Sequence, residues 1–216
     1  MARPPRFDTH QLLDAAVRQA AASGPAGVTM SAVAKEVGAP SGSVYHRFAG
    51  RTALLAEMWL RTVENFQEGY FKALEANPDP RRAGCAAARH VVAWSRAHPQ
   101  QAALLLYGAQ DFGRADWSEE HRHRADRGNQ RVRNAAASLA AALGAKGPQA
   151  TERVALALVD LPLSLVRRHL RAGTPLPAHA EDLAEECTAA LLNSLPADAA
   201  SSPAPDPGSR TRAPHQ

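Results

Sequence analysis

Aromatic side chains make up only 5% of this 216-residue chain. Few segments alternate apolar and polar residues over the length of a strand, which excludes a fold built mainly of sheet. Cysteine is nearly absent: Cys85 and Cys187 lie far apart in alanine-rich sequence, so neither a disulfide scaffold nor a paired CxxC metal or redox motif is available. With no apolar-cored leader ahead of the first periodic segment, two isolated thiols suit a reducing cytoplasm. Long hydrophobic runs are missing as well. The longest, Val154 to Val166, is interrupted by Asp160 and Pro162, falls short of the roughly 18 apolar residues that a membrane span needs, and reads as a buried or interfacial helix.

What the chain does have is alanine and leucine, within a hydrophobic fraction of 45%, recurring at helical spacing. The expected class is all-α. The formal charge of +4 is mild and by itself says little about nucleic acid. Its distribution says more. Residues 1–61 hold seven Arg or Lys against four Asp or Glu, residues 114–133 six against four, and residues 181–216 two against six. A basic front and an acidic rear suit a protein with one DNA-facing end, although the arginines of 114–133 fit a solvated helix face equally well.

Leu12, Leu13, Ala16, Val17 and Ala20 predict a first helix over about Thr9–Ser23, stopped by Gly24-Pro25-Ala26-Gly27. Thr29 is placed to cap a second helix whose apolar face is Met30, Val33, Ala34 and Val37, and Gly38 to end it. A third, short helix runs from Pro40 or Ser41 to Arg47, with Pro40 suited to the first turn, where its missing N–H has no intrahelical partner. Val44 and Phe48 face inward, leaving Ser41, Ser43, Tyr45 and His46 outside. So short a helix has little intrinsic stability, and its role lies in what it presents. Further helices are expected over 51–76, 81–97, 100–110, 117–143, 151–170 and 179–195, with breaks at Asn77-Pro78-Asp79-Pro80, His98-Pro99, Asp111-Phe112-Gly113, Gly144–Pro148 and Ala172–Pro177. Residues 196–216, rich in Pro, Ala, Ser and Asp, read as a disordered tail.

The ordered set Thr29, Val33-Ala34, Val37-Gly38, Gly42-Ser43-Val44-Tyr45-His46-Arg47-Phe48, Arg51 and Leu54-Leu55 resembles the amino-terminal module of the tetracycline-repressor (TetR) family of bacterial regulators. The likeness covers about residues 8–58. It implies a helix-turn-helix DNA-binding domain over 1–50 and a helical ligand-binding and dimerisation domain over 51–195. Carried over position by position, it implies that Tyr45 and His46 contact phosphates, that Thr29 caps the second helix and touches a phosphate, and that Arg51 stands where the family often has a phosphate-contacting Lys. Ser41 and Ser43 would approach base edges, and Gly42 would let the helix sit close to the groove. Arg3 and Arg6 could form an arm toward the minor groove or flanking phosphates. Two positions depart from the family pattern. Pro40 replaces a frequent Ser or Thr, which removes a cap and a phosphate donor, and Ser41 replaces a common basic residue.

The resemblance further implies a ligand pocket in the larger domain, for which Phe66, Tyr70, Trp94, Leu105, Tyr107, Phe112, Trp117 and Leu161 are candidates. It also implies a homodimer packed through the last two long helices. Leu156, Val159, Leu163 and Val166 offer one apolar stripe and Leu183, Cys187, Leu191 and Leu195 another; an internal core is the alternative reading of both. The expected partners are double-stranded operator DNA, a second copy and a small-molecule effector. No HExxH, phosphate loop, GxSxG or paired CxxC occurs, and His121 and His123, two apart, point to different helix faces. No enzyme, metal or cofactor is therefore expected. The rival reading is a helical ligand-binding or scaffold protein whose front module has no defined operator.

Overall fold

The computed structural model describes residues 8–195, so Arg3, Arg6 and the expected tail lie outside the described residues. Within these limits the chain is all helix: α1 (Thr9–Ser23), α2 (Met30–Val37), α3 (Ser41–Tyr45), α4 (Arg51–Glu75), α5 (Pro80–Ala97), α6 (Pro99–Leu104), α7 (Glu119–Ala142), α8 (Pro148–Ala155), α9 (Leu161–Ala172) and α10 (Ala180–Asn193). No described helix is long and apolar enough to cross a membrane.

Local chemistry sets most of the boundaries. Asp8 opens α1 with a capping box shared with Gln11, and Gly24 closes it at φ 74°, a backbone that favours glycine. Beside Gly24 is the Tyr107 hydroxyl, which a Cβ would meet at an ordinary 3.4 Å, so the backbone conformation rather than space calls for glycine. Asp79 caps α5 through the amides of Arg81 and Arg82. Ser118 accepts from the His121 amide and so starts α7 at Glu119 rather than at Trp117.

The fold contains two main apolar cores. The front one gathers Leu12, Val33, Val44, Leu54 and Met58, all wholly buried, and it does not stop at residue 50. Leu104 of α6, then Phe112, Trp117 and Ala125, complete it. The segment between α6 and α7 therefore behaves unlike the continuous 100–110 helix expected from the pattern. It is a strap of two 3-10 turns, Ala109–Phe112 and Arg114–Asp116, hinged at the left-handed Gly113. Trp117 Nε1 donates to the Phe112 carbonyl at 2.9 Å and the Gly108 amide to Asp111 Oδ2 at 2.8 Å, which bends the strap so that Phe112 drops inward. The rear core joins Tyr70, Phe71, Val91, Leu139, Val154, Leu158 and Leu192 from α4, α5, α7, α8, the following turn and α10.

The helix expected over 151–170 is interrupted by a wide π turn, Leu156–Asp160, between α8 and α9. Pro162 explains how the turn is accommodated. In the π register Leu161 N donates five residues back to the Leu156 carbonyl, and the next donor, for Ala157, would be residue 162. Proline has no N–H to give. The buried Thr188 of α10 supplies the missing donor, its Oγ1 giving a hydrogen bond of 2.8 Å to the Ala157 carbonyl. One proline thus ties the bend in the penultimate helix to the last helix.

Candidate nucleic-acid interface

The α2–turn–α3 unit is built from caps and a small set of inward side chains. Thr29 Oγ1 accepts from the Ala32 amide at 3.1 Å, fixing the start of α2. Gly38, at φ 69°, ends it; its amide donates to Lys35 O and the next amide, Ala39 N, to Ala34 O. The outer side of α2 is tied to α1 through Glu36, which takes hydrogen bonds from Arg18 Nε at 2.5 Å and Gln19 Nε2 at 3.0 Å. Asp14 of α1 is in turn paired with Arg61 of α4 at 2.6 Å.

On α3, Val44 is wholly buried and Phe48, just beyond, nearly so, which turns the opposite side outward. Tyr45 is 60% exposed, unusual for so large an aromatic, and His46 is exposed beside it. Ser43 is half-buried and Gly42 exposed; the side chain of Ser41 lies outside what is described. A Cβ added at Gly42 would meet nothing within 4 Å, so the protomer's own packing does not require a glycine there. Pro40 sits one position earlier than the sequence pattern placed it. It is the residue preceding α3, with the extended ψ of 137° usual at that position, and it gives no side-chain cap because its ring has no acceptor where a Ser or Thr would offer a hydroxyl.

Arg51, at the start of α4, has partners within the protomer. Its Nε donates to the Val28 carbonyl at 2.7 Å, and its Nη2 donates to Pro25 O at 2.7 Å and Ala26 O at 3.2 Å. The guanidinium is thus a strut from the start of α4 to the turn that leads into α2, and only Nη1 has no role in it. The resemblance implied a phosphate contact; the bonds to carbonyls more than twenty residues away are contacts that no local pattern reveals.

The arginines of 114–133 are mostly engaged inside the protomer. Arg114 pairs with Asp126, Arg122 donates to the Trp117 carbonyl, Arg131 lies over the Phe71 ring and Arg133 bonds Gln130. Arg124 grips both Glu57 and Glu64 of α4, at 2.6 and 2.9 Å, and these hydrogen bonds, Glu64 first, raise the guanidinium further above its ordinary range. His121 Nε2 reaches Glu57 at 3.4 Å and its Nδ1 lies 2.9 Å from Ser118 Oγ. Arg124, Arg131 and His121 thus fasten α7 to α4, while Arg114, Arg122 and Arg133 make their bonds within 114–133.

The eight pocket candidates separate into two groups. Phe66, Tyr70 and Trp94 meet in one aromatic cluster, with ring centroids 6.0 and 5.3 Å from Phe66 and His90 alongside. Burial pushes the Tyr70 hydroxyl well above its ordinary range. Phe112 and Trp117 instead belong to the front core, against Trp59 of α4. Tyr107 packs edge-on to Phe112 near Gly24. Leu105 and Leu161 are half-buried.

The interface candidates divide too. Leu156 and Leu183 are exposed, at 45% and 38%, and Val159, Leu163, Cys187 and Leu191 are half-buried. Val166 and Leu195 are corrected to the protomer interior. Val166 packs against Val92, Ala180 and Ala184, and Leu195 closes the rear core. The π turn shifts the register of the helix between Leu156 and Val166, so a stripe drawn at uniform helical spacing cannot keep both on one face.

Residues 12–58 match the family model described as "Bacterial regulatory proteins, tetR family". No curated protein is similar to the chain at the level of sequence. Among solved structures, the transcriptional regulator FadR from Bacillus subtilis in complex with stearoyl-CoA superimposes with a TM-score of 0.69 at 13% identity, covering 88% of this chain and 100% of that one. PfmR, a TetR family transcriptional regulator from Thermus thermophilus, gives 0.63 at 21% identity over 89% and 99% of the two chains. The ketosteroid transcriptional regulator KstR2 of Mycobacterium tuberculosis gives 0.66 at 18% over 88% and 96%. Such identities establish a shared fold, and the amino-terminal match lies on the helices that carry Thr29, Gly38 and Tyr45. The amino-terminal module thus matches the TetR family model over residues 12–58, and the chain as a whole is similar in fold to solved TetR family regulators.

Proposed function

We propose that the protein is a homodimeric repressor whose two copies of α3 enter successive major-groove faces of a palindromic operator and leave it when a small molecule binds the larger helical domain. The observation that carries the reading is the outward display of Tyr45 and His46 on a helix too short to be stable alone, backed by the buried Val44 and Phe48. A phenol and an imidazole can hold phosphates, while Ser41 and Ser43 offer donors and acceptors to base edges. Thr29 and the Arg51 strut keep α2 in place behind them. Arg3 and Arg6 would add a flanking arm.

A single α3 covers too little DNA for tight and selective binding, so dimerisation is part of the function. Leu156, Val159, Leu163, Leu183, Cys187 and Leu191 are proposed as the contact between copies. Residues 1–50 supply the reading head and residues 51–195 the sensing and pairing body, with the strap of 108–118 joining the two. Ligand binding would shift the population toward dimers whose heads no longer match the operator spacing. Fatty acyl and ketosteroid regulators share the fold, which supports an organic effector.

Tyr45→Ala should weaken binding to a selected DNA fragment while sedimentation velocity still shows a dimer. Wild-type affinity in a dimeric Tyr45→Ala protein would remove Tyr45 from the interface.

A further inference from the structure

Many charged side chains of the larger domain are engaged within the protomer. Arg89 pairs with Asp182 and Glu185, Arg96 with Glu181, and Arg124 with Glu57 and Glu64. The penultimate helix differs. Asp160, which precedes α9, and Arg167 and Arg171 within it are exposed, and their side chains make no hydrogen bond or ion pair with any described residue. Asp160 already has helical backbone angles, φ −67° and ψ −41°, so it continues the turn of α9.

These charges share one side of the helix. At 3.6 residues per turn, positions 160, 164, 167 and 171 fall within an arc of about 60°, and Ser164, between the charges, is exposed as well. Leu163 beside it is half-buried. The face is therefore acidic at its start, small and neutral in its middle and basic at its end. Such a face complements itself only when turned end for end. Two copies running in the same direction would set Arg167 against Arg167 and Arg171 against Arg171, and like charges so placed are disfavoured. A two-fold axis across the helix near Leu163 and Ser164 instead brings the acidic end of each copy to the basic end of the other. Positions 160 and 167, about 10 Å apart along the helix, are equally far from that axis.

We propose that two copies of this chain pack with their α9 helices antiparallel, joined by an ion pair from Asp160 of each copy to Arg167 of the other. Leu156 and Arg171 are likewise equally distant from the axis in sequence, so the aliphatic stem of each arginine covers the exposed Leu156 of the other copy. The ion pairs act on the choice of partner more than on the strength of the contact. An exposed pair adds little affinity, whereas a partner with the wrong charge opposite Asp160 or Arg167 is repelled. The partner selected is an identical copy in one register. This inference rests on the homodimer proposed above, to which it adds the direction, the register and the selectivity of the contact.

The test uses the full-length protein with Asp160→Arg and Arg167→Asp made in separate chains. Alone, each variant sets like charges against each other at both symmetric contacts, and its dimer dissociation constant by sedimentation equilibrium should rise about tenfold. Mixed in equal amounts, the two variants should form a heterodimer of wild-type affinity, read by energy transfer between separately labelled chains, because opposite charges again meet at both contacts. Misfolded chains cannot give that rescue. Arg167→Gln, which removes only the charge, should leave a dimer whose affinity depends less on salt than that of the wild type. Wild-type affinity of both reversed variants, a mixture that stays as weak as its components, or an unchanged salt dependence of Arg167→Gln overturns the pairing and leaves the dimer standing. A wild-type chain that remains monomeric at micromolar concentration overturns the homodimer reading and this inference with it.

Discussion

Replacing Arg51 separates two roles that its charge alone cannot distinguish. In the structure Nε and Nη2 serve three carbonyls, but the losses on substitution are unequal. Pro25 O retains the Val28 amide at 3.3 Å, and Ala26 is exposed to water, whereas Val28 O has Arg51 as its close partner at 2.7 Å. The cost is therefore about that of one hydrogen bond to a charged group, reduced by partial hydration to roughly 1–2 kcal/mol. For a chain of this size that corresponds to a fall in melting temperature of about 2–8 °C. Arg51→Lys keeps the charge but lacks the fork that spans Val28 and Pro25. As a strut, Arg51 predicts that Lys and Met variants both melt lower and both bind DNA less well, with the salt dependence of binding by the Lys variant unchanged. A phosphate contact alone predicts a Lys variant of wild-type stability and a Met variant whose logarithmic salt slope is smaller by about one. Wild-type melting of both variants would refute the strut.

Thr188→Val should cost about 1–3 kcal/mol in denaturant unfolding, because the buried Ala157 carbonyl loses its donor. In a Pro162→Ala background, where the backbone N–H is restored, the same change should cost less; equal costs would contradict the link between Pro162 and Thr188. Gly42→Ala should stabilise the protein by about 0.5–1 kcal/mol, since space is open there, yet lower its affinity for a selected DNA fragment. Unaltered affinity would show that the groove does not need this glycine. Burial pushes the His90 pKa below its ordinary 6.5, so the unfolded chain binds the proton more readily and stability should fall as pH drops through about 6.5. His90→Gln should flatten that part of the melting-temperature profile relative to wild type, and parallel profiles would argue against His90 as the source.

The front of the chain was more legible than the rear because its punctuation is chemical. Thr29 caps, Gly38 turns, and Val44 and Phe48 point inward wherever the rest of the protein lies. The limits of α4 and α5 follow equally from Gly50, Asp79 and Pro80. Periodicity reports which face of a helix is apolar, but not what covers it. Phe112 and Trp117, expected as candidates for pocket lining, also pack into the core beneath the first three helices. Val166 read as part of a surface stripe because the π turn, which changes the register before it, leaves no mark in hydrophobic spacing beyond Pro162, and Leu195 because it follows the end of α10, where helical spacing no longer sets the face. Arg51 marks the same boundary from the polar side, since its bonds are to groups that only the fold brings within reach.

Selection of genomic DNA fragments by the purified full-length protein, against random DNA at the same salt concentration, tests the central claim most directly. A sequence-specific dimeric regulator predicts enrichment of one palindromic sequence whose half-sites lie about one helical turn apart. Uniform, salt-sensitive binding to all fragments, or none, would contradict it and favour a ligand-binding or scaffold protein that has kept the fold without an operator.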